Sequence, residues 1–304
     1  MKLPQGFKSA SIAAGLKSTG ALDLTLIQNQ GPLFMGAAVF TTNKVVAAPV
    51  IWSRQVAKGG TVRAAVLNSG GANACTGPQG FATTHKTAEH VGHLLNVSAG
   101  EVIVCSTGLI GELLPMEKIL TGLDAIAPVL SSDGLQTSAQ AIMTTDSVPK
   151  IATATINGAE FAAIAKGAGM LAPALATMLS VVMTDAVVSH NAQEIFQRVT
   201  DRTYNRIDSD GCTSTNDTVL FMASGASGVS VSDSDFEAIL MKVCGSLAHQ
   251  LIADAEGSTK TVAIKVVNAA SEKDAVEVFH CGLETCQQGT GALRGAISFG
   301  RMRT

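Results

Sequence analysis

Leu22, Leu24 and Leu26 alternate with other residues at the two-residue period of a strand. Residues 61–68 and 101–105 also read as strands. The second is so nearly all apolar that burial on both faces is expected. Between them, 80–95 carries apolar residues at helical spacing, and 136–143 predicts another helix. Lys150–Ile156 and 160–165 flank Asn157-Gly158, a dipeptide suited to a type I′ turn because both central residues must take positive φ, so a hairpin is expected. Residues 178–183 read as a buried strand, 191–204 as a helix and 219–222 as a strand. Ser232-Asp233-Ser234-Asp235 offers N-caps to a long helix with Ile239, Val243, Leu247 and Leu251 on one face. Val262, Ile264 and Val266 alternate as a strand, and Ser271 opens a further helix with Asp274 in the capping-box neighbourhood.

Paired strands mixed with helices, without strict β-α-β-α alternation, predict an α/β (α+β) fold of helix layers over mostly antiparallel sheet. There is no internal repeat or low-complexity linker, and composition marks no domain boundary. The chain is 46% hydrophobic but only 4% aromatic, with 30 glycines, so its core must be built by close packing of small aliphatic residues. Its 21 basic and 24 acidic residues are well mixed, leaving no basic stripe, and nucleic acid is not an expected partner. The first twenty residues hold three lysines but no secretory apolar run, and no stretch approaches the roughly 18 apolar residues of a membrane span. A cytoplasmic protein without membrane contact is expected.

Six cysteines in 304 residues do not make a disulfide scaffold. Cys75, Cys105, Cys212 and Cys244 sit among apolar or small residues and read as buried thiols, while Cys281 and Cys286 lack the second pair that a zinc site needs. His85, His90 and His93 share one predicted helix without the i, i+4 ligand pair and intervening acid of a helical zinc site, so they read as a solvated face. Lys166-Gly167-Ala168-Gly169 lacks the spacing of a phosphate or dinucleotide loop.

The segment Lys166-Gly167-Ala168-Gly169-Met170-Leu171-Ala172-Pro173-Ala174-Leu175-Ala176-Thr177-Met178-Leu179 has two readings. In one it is a constrained loop that enters a strand. In the other Thr177 is a concealed nucleophile. A threonine hydroxyl needs a base to take its proton, and breaking the preceding peptide bond would tether one to the same residue: the α-amine, with an ordinary pKa of about 7.7–8.0. Cys105-Ser106-Thr107-Gly108 likewise reads either as a strand-ending turn or as a hydroxyl and glycine N–H able to hold the negative oxygen of a tetrahedral intermediate.

Taken together, these segments resemble the ornithine acetyltransferase family. The matching stretches run in order: Asn68-Ser69-Gly70-Gly71-Ala72-Asn73-Ala74-Cys75-Thr76-Gly77, Cys105-Ser106-Thr107-Gly108-Leu109-Ile110-Gly111, Ile142-Met143-Thr144-Thr145-Asp146, the 166–179 segment, Ser214-Thr215-Asn216-Asp217-Thr218-Val219 and Ala253-Asp254-Ala255-Glu256-Gly257. The resemblance implies a layered α-β-β-α sandwich of the self-cleaving, N-terminal-threonine kind. It implies scission between Ala176 and Thr177 into associated chains of residues 1–176 and 177–304. The implied reaction moves acetyl from N-acetylornithine to glutamate through an acetyl-threonine, without a metal or bound cofactor. Some members also accept acetyl-CoA, and the sequence does not separate the two kinds. By position, Thr177 would be the nucleophile and its amine the base, with Thr107 and Gly108 forming the oxyanion hole. Thr144 (or Thr145 in its place), Lys166 and Glu256 would contact substrate. The last two suit a zwitterionic amino acid on charge grounds. A heterotetramer of two chain pairs is the implied assembly.

After Val278 the resemblance stops. The family continues into a Phe-Gly-x-Asp-Pro-Asn-Trp-Gly segment and a further stretch that contributes to the substrate site; here the chain runs through two cysteines to Ser298-Phe299-Gly300-Arg301-Met302-Arg303-Thr304. Codons permitted for those residues spell Phe-Arg-Ser-Asp-Ala-Asn in a shifted frame, which leads to the expectation of a frameshift. The competing readings are an inactive truncated remnant and an aminopeptidase of the related self-cleaving fold.

Overall fold

The computed structural model describes residues 1–172 and 178–279, with the backbone of 295–297. One sheet joins β1 (Phe7–Ile12), β2 (Leu24–Asn29), β4 (Ala64–Gly71) and β5 (Val102–Leu109) in the order β1-β2-β4-β5. The other joins β3 (Met35–Phe40), β6 (Lys150–Ile156), β7 (Ala159–Lys166), β8 (Leu179–Thr184) and β9 (Thr218–Ala223) in the order β3-β9-β8-β7-β6. Within these two sheets β4 with β5 and β8 with β9 run parallel, and the other five pairings are antiparallel.

The strand period sorts side chains into layers. Ala65 and Leu67 of β4 and Leu179, Val181 and Met183 of β8 meet in the interior between the sheets. Ala64 and Val66 face outward under α2 (Gly77–Leu95) and α3 (Met116–Ile126), against Ala88, Val91, Ile119 and Leu123. On the other outer face, Val182, Val219 and Phe221 pack under α5 (Ala192–Arg202) and α6 (Asp233–Ala253). The expected α-β-β-α sandwich is the observed one. α1 (Ala48–Lys58) lies against β5, and α4 (Leu135–Ala141) contributes Leu135 and Ala139 to the interior.

Local chemistry explains several boundaries. Asn157 and Gly158 both have positive φ, 52° and 90°, so the expected turn joins β6 to β7. Ser232 caps α6 by accepting the Asp235 N–H at 3.2 Å. A helical segment at 272–279 follows Ser271, whose hydroxyl accepts the Asp274 N–H at 3.1 Å.

Several expectations need correction. Only Lys260–Val262 of the alternating stretch is a strand, since Ile264 and Val266 instead pack on Phe279. Cys105 and Cys244 are buried, but Cys75 and Cys212 are exposed, because both lie in loops outside the layers. α6 is, by length and composition, apolar enough to cross a membrane; its apolar face is the core side of a layer. Cys281, Cys286 and the segment from 298 onward lie outside the described residues.

Candidate functional site

Three of the matching motifs are tied together where parallel β4 and β5 end. Ser106 donates to Asn68 Oδ1 at 2.6 Å, and Asn216 Nδ2 donates to the Ser106 carbonyl at 2.9 Å. The ladder is irregular at Gly70 and Gly71. A Cβ at Gly108, where φ is 128°, would stand 2.6 Å from the Gly70 carbonyl carbon, so only glycine allows these backbones to approach. At Gly70 the corresponding obstacle is Leu16, 2.8 Å away. Leu16 belongs to a loop organised by buried Asp23, which accepts the N–H groups of Ala14, Leu16 and Lys17 at 2.6–3.0 Å.

These approaches form one wall of a cleft of about 530 Å³. Thr107, Gly108, Thr144, Thr145, Lys166 and Glu256 line it, along with Leu16–Thr19 and Gly169. The structure therefore brings together every described residue that the sequence nominated for the site. Both Thr144 and Thr145 reach the cleft. The Thr144 N–H is fixed on Asp146 Oδ2 at 3.0 Å.

Lys166 ends β7 and is 1% exposed. Its Nζ donates to Thr107 Oγ1 at 3.0 Å. Because that oxygen accepts, the Thr107 hydroxyl proton is free to donate to a third group. Burial pulls the Lys166 ammonium down to about 8; Asp146 and Asp217 partly oppose the shift, and Lys150 and Lys17 add to it. Glu256 follows α6 and is exposed; its N–H donates to the Ala168 carbonyl at 2.6 Å, and a Cβ on Gly169 would lie 2.8 Å from its Oε2. A lysine and a glutamate thus line one cleft, the charge pattern that a free amino acid requires.

Ala176 and Thr177 lie outside the described residues. On either side of that stretch, Ala172 and Met178 are buried. Lys166 is the register partner of Leu179, two residues after Thr177. The Met178 N–H donates to Asp217 Oδ1 at 2.9 Å, while buried Asp217 Oδ2 has no hydrogen-bond partner among the described residues. Burial raises this carboxyl well above the usual carboxylate range, against the opposing pull of the Met178 N–H, Ser214 and Lys166. Sequence reading gave Asp217 no role. The signal available was a carboxylate one residue removed from the apolar run Val219-Leu220-Phe221.

A family model described as the ArgJ family matches residues 8–281. The chain belongs to the ArgJ family. The "arginine biosynthesis bifunctional protein ArgJ" of Thermobifida fusca is 54% identical over 276 residues, covering 90% of this chain and 72% of its own. The Mycobacterium tuberculosis protein of the same name is 50% identical over 282 residues, covering 90% and 70%. Among solved structures, ornithine acetyltransferase from M. tuberculosis, complexed with ornithine, aligns with a TM-score of 0.51 and 48% identity over 56% of this chain and 92% of that one. The ArgJ protein of Bacillus halodurans aligns at 0.50 and 33% identity over 57% and 96%. The chain is accordingly an acetyltransferase of arginine biosynthesis, as the six ordered motifs led one to expect.

The three histidines of α2 take ordinary surface roles. His85 packs on Trp52 with ring centroids 4.8 Å apart and planes tilted by 49°, and His90 pairs with Asp124 at 2.8 Å. Among the described residues no group of three or more His, Cys, Asp and Glu could hold a metal ion.

Proposed function

We propose that this ArgJ-family protein transfers acetyl from N-acetylornithine to glutamate, with Thr177 as nucleophile after scission of the Ala176–Thr177 bond. The observation that carries the reading is the cleft lined by the bonded pair Lys166 and Thr107 together with Glu256. In scission, the Thr177 hydroxyl attacks the Ala176 carbonyl. The C–N bond breaks, an ester forms and the hydroxyl proton ends on the nitrogen; water then hydrolyses the ester and leaves a free amine. In transfer, that amine takes the Oγ proton as Oγ attacks the acetyl carbonyl and passes it to the departing ornithine nitrogen. Glutamate then reverses the sequence. Thr107 donates its hydroxyl to the developing oxyanion, backed by the Lys166 ammonium, with the Gly108 N–H as second donor. Thr144 and the charged pair Lys166 and Glu256 hold the amino acid.

One further observation favours this reading. The solved relatives are 92% and 96% covered yet match 56% and 57% of this chain, close to the share that precedes Thr177. As proposed, the chemistry draws only on groups of the chain and its substrates, with acetyl-CoA as a second donor and no resident cofactor. Chains of 1–176 and 177–304, paired again as a heterotetramer in the cytoplasm, complete the proposal.

Denatured intact mass of the purified protein, beside Thr177→Ala, is the direct test. Two fragments in the unsubstituted protein alone, with glutamate-dependent release of ornithine from N-acetylornithine, are expected. A single uncut chain without transfer would overturn the reading, and amino-acid release from small peptides would favour an aminopeptidase instead.

A further inference from the structure

Besides the motif that holds Asp217, two of the six motifs contain an aspartate that the acetyl-transfer chemistry leaves without a role. These are Asp146 and Asp254, and they meet on one buried cation. Lys150 Nζ lies 2.6 Å from Asp146 Oδ1 and 2.6 Å from Asp254 Oδ2, and its side chain is completely buried. Asp146 Oδ1 also accepts the Gly167 N–H at 2.7 Å, and its Oδ2 accepts the Thr144 N–H at 3.0 Å. Asp254, the C-cap of α6, accepts the Ser147 N–H at 3.0 Å and the Ser147 hydroxyl. Each arm therefore ends within two residues of a cleft contact: at Thr144 itself, at Gly167 beside Lys166, and at Asp254 before Glu256.

From these connections we infer that Lys150, with Asp146 and Asp254, is a positioning centre that sets the separation between Lys166 and Glu256, and so the fit of a zwitterionic amino acid. The triad joins segments on both sides of the Ala176–Thr177 bond. Asp146 and Lys150 precede that bond, whereas Asp254 and Glu256 follow it. Burial pushes the Asp146 carboxyl up, but Lys166 and Lys150 outweigh it and hold the group below its ordinary value. At Asp254 burial is likewise outweighed, by Lys150 and Ser147. Both arms are thus ionised at neutral pH and keep their grip. The inference rests on the acetyltransferase reading of the cleft but assigns residues that the reading does not use.

The test is ornithine affinity by calorimetry on the self-processed protein, with a thermal melt for each variant. Asp254→Ala frees the end of α6 while leaving the Lys150–Asp146 pair, and should weaken ornithine binding about tenfold or more. Asp254→Asn keeps an acceptor for Lys150 and should restore most of the affinity. Ser147→Ala, which loosens the same junction only slightly, gives a smaller loss in the same direction. In a double-mutant cycle, Glu256→Gln should cost much less in the Asp254→Ala background than in the unsubstituted protein. A lowered melting temperature with unchanged affinity, or losses that simply multiply, would overturn the inference. An unsubstituted protein that binds no ornithine would instead sink the reading of the cleft itself.

Discussion

Lys150 and Lys166 stand at the same open end of one hairpin, and both are buried to within 1% of complete exclusion from water. Lys150 pairs in register with Ala165, the neighbour of Lys166. Their surroundings differ in one respect. Lys150 bonds two carboxylates at 2.6 Å, whereas Lys166 donates to a neutral hydroxyl and feels Asp146 and Asp217 only through space. Burial alone therefore does not decide what a lysine does. A cation held between two carboxylates is a structural fastening. One that is buried but under-compensated keeps its charge weakly and has interaction left to offer a substrate.

The largest effect that would break this comparison is on stability. Lys150→Met leaves two carboxylates, one of them fully buried, without their cation and should lower the unfolding free energy by about 3–5 kcal/mol, read from a urea denaturation midpoint. A loss comparable to that of an exposed lysine would mean that the triad fastens nothing.

Lys166→Met should act in the opposite sense on stability while abolishing acetyl transfer. A lysine whose folded pKa lies near 8 carries a burial penalty that is present in full below pH 8. That penalty is relieved as pH rises toward the unfolded value of about 10.4. The variant should thus be more stable by roughly 2 kcal/mol at pH 7, after the lost Thr107 bond is allowed for, with the advantage shrinking toward pH 10. Parallel melts at both pH values distinguish this from a general packing gain, which would not depend on pH. In transfer by the unsubstituted enzyme, loss of the Lys166 proton should set a falling limb near pH 8, against the rising limb set by the Thr177 amine with its ordinary pKa of about 7.7–8.0.

Asp217→Asn offers the smallest and sharpest test. The raised pKa of Asp217 means that the native state keeps a proton the unfolded chain releases, so this residue costs stability above the ordinary Asp range and nothing below it. Its replacement should raise the melting temperature by a few degrees at pH 7, a gain that disappears near pH 3. An equal gain at both pH values would show that the charge is not the cause.

Much of this was legible beforehand because it depends on local pattern. Asn157-Gly158 specified a turn by its own backbone preferences, and α2 and α6 showed their apolar faces at helical spacing. β1 was missed because its inward position Ser9 is polar; its hydroxyl is satisfied in the interior by Ser138, which hydrogen-bonds to it at 2.9 Å across the fold. Helix α1 carries Pro49 in its first turn and α3 begins behind Pro115, residues that punctuate a sequence and so hide the helix around them. The alternation at 262–266 misled in the opposite way, since a period of two has no force beyond Val262, where pairing with a neighbouring strand stops. At the site, Thr107, Lys166 and Glu256 came from family motifs. The role of Lys150 could not, because its two partners lie 4 and 104 residues away and only the fold brings them to one atom.

The place of β8 has a mechanical consequence. It begins at Leu179, just past Thr177, and is laddered to β7 on one side and β9 on the other. Scission at that point would give a fragment that carries β8 and β9 as a parallel pair in the middle of the sheet, with β7 of the other fragment along one edge and β3 along the other. Withdrawing it means unzipping two rows of backbone bonds at once and opening the interior between the sheets. Halves from separately labelled populations should therefore not trade partners on mixing, and once cut, the protein would keep for life the companion with which it folded.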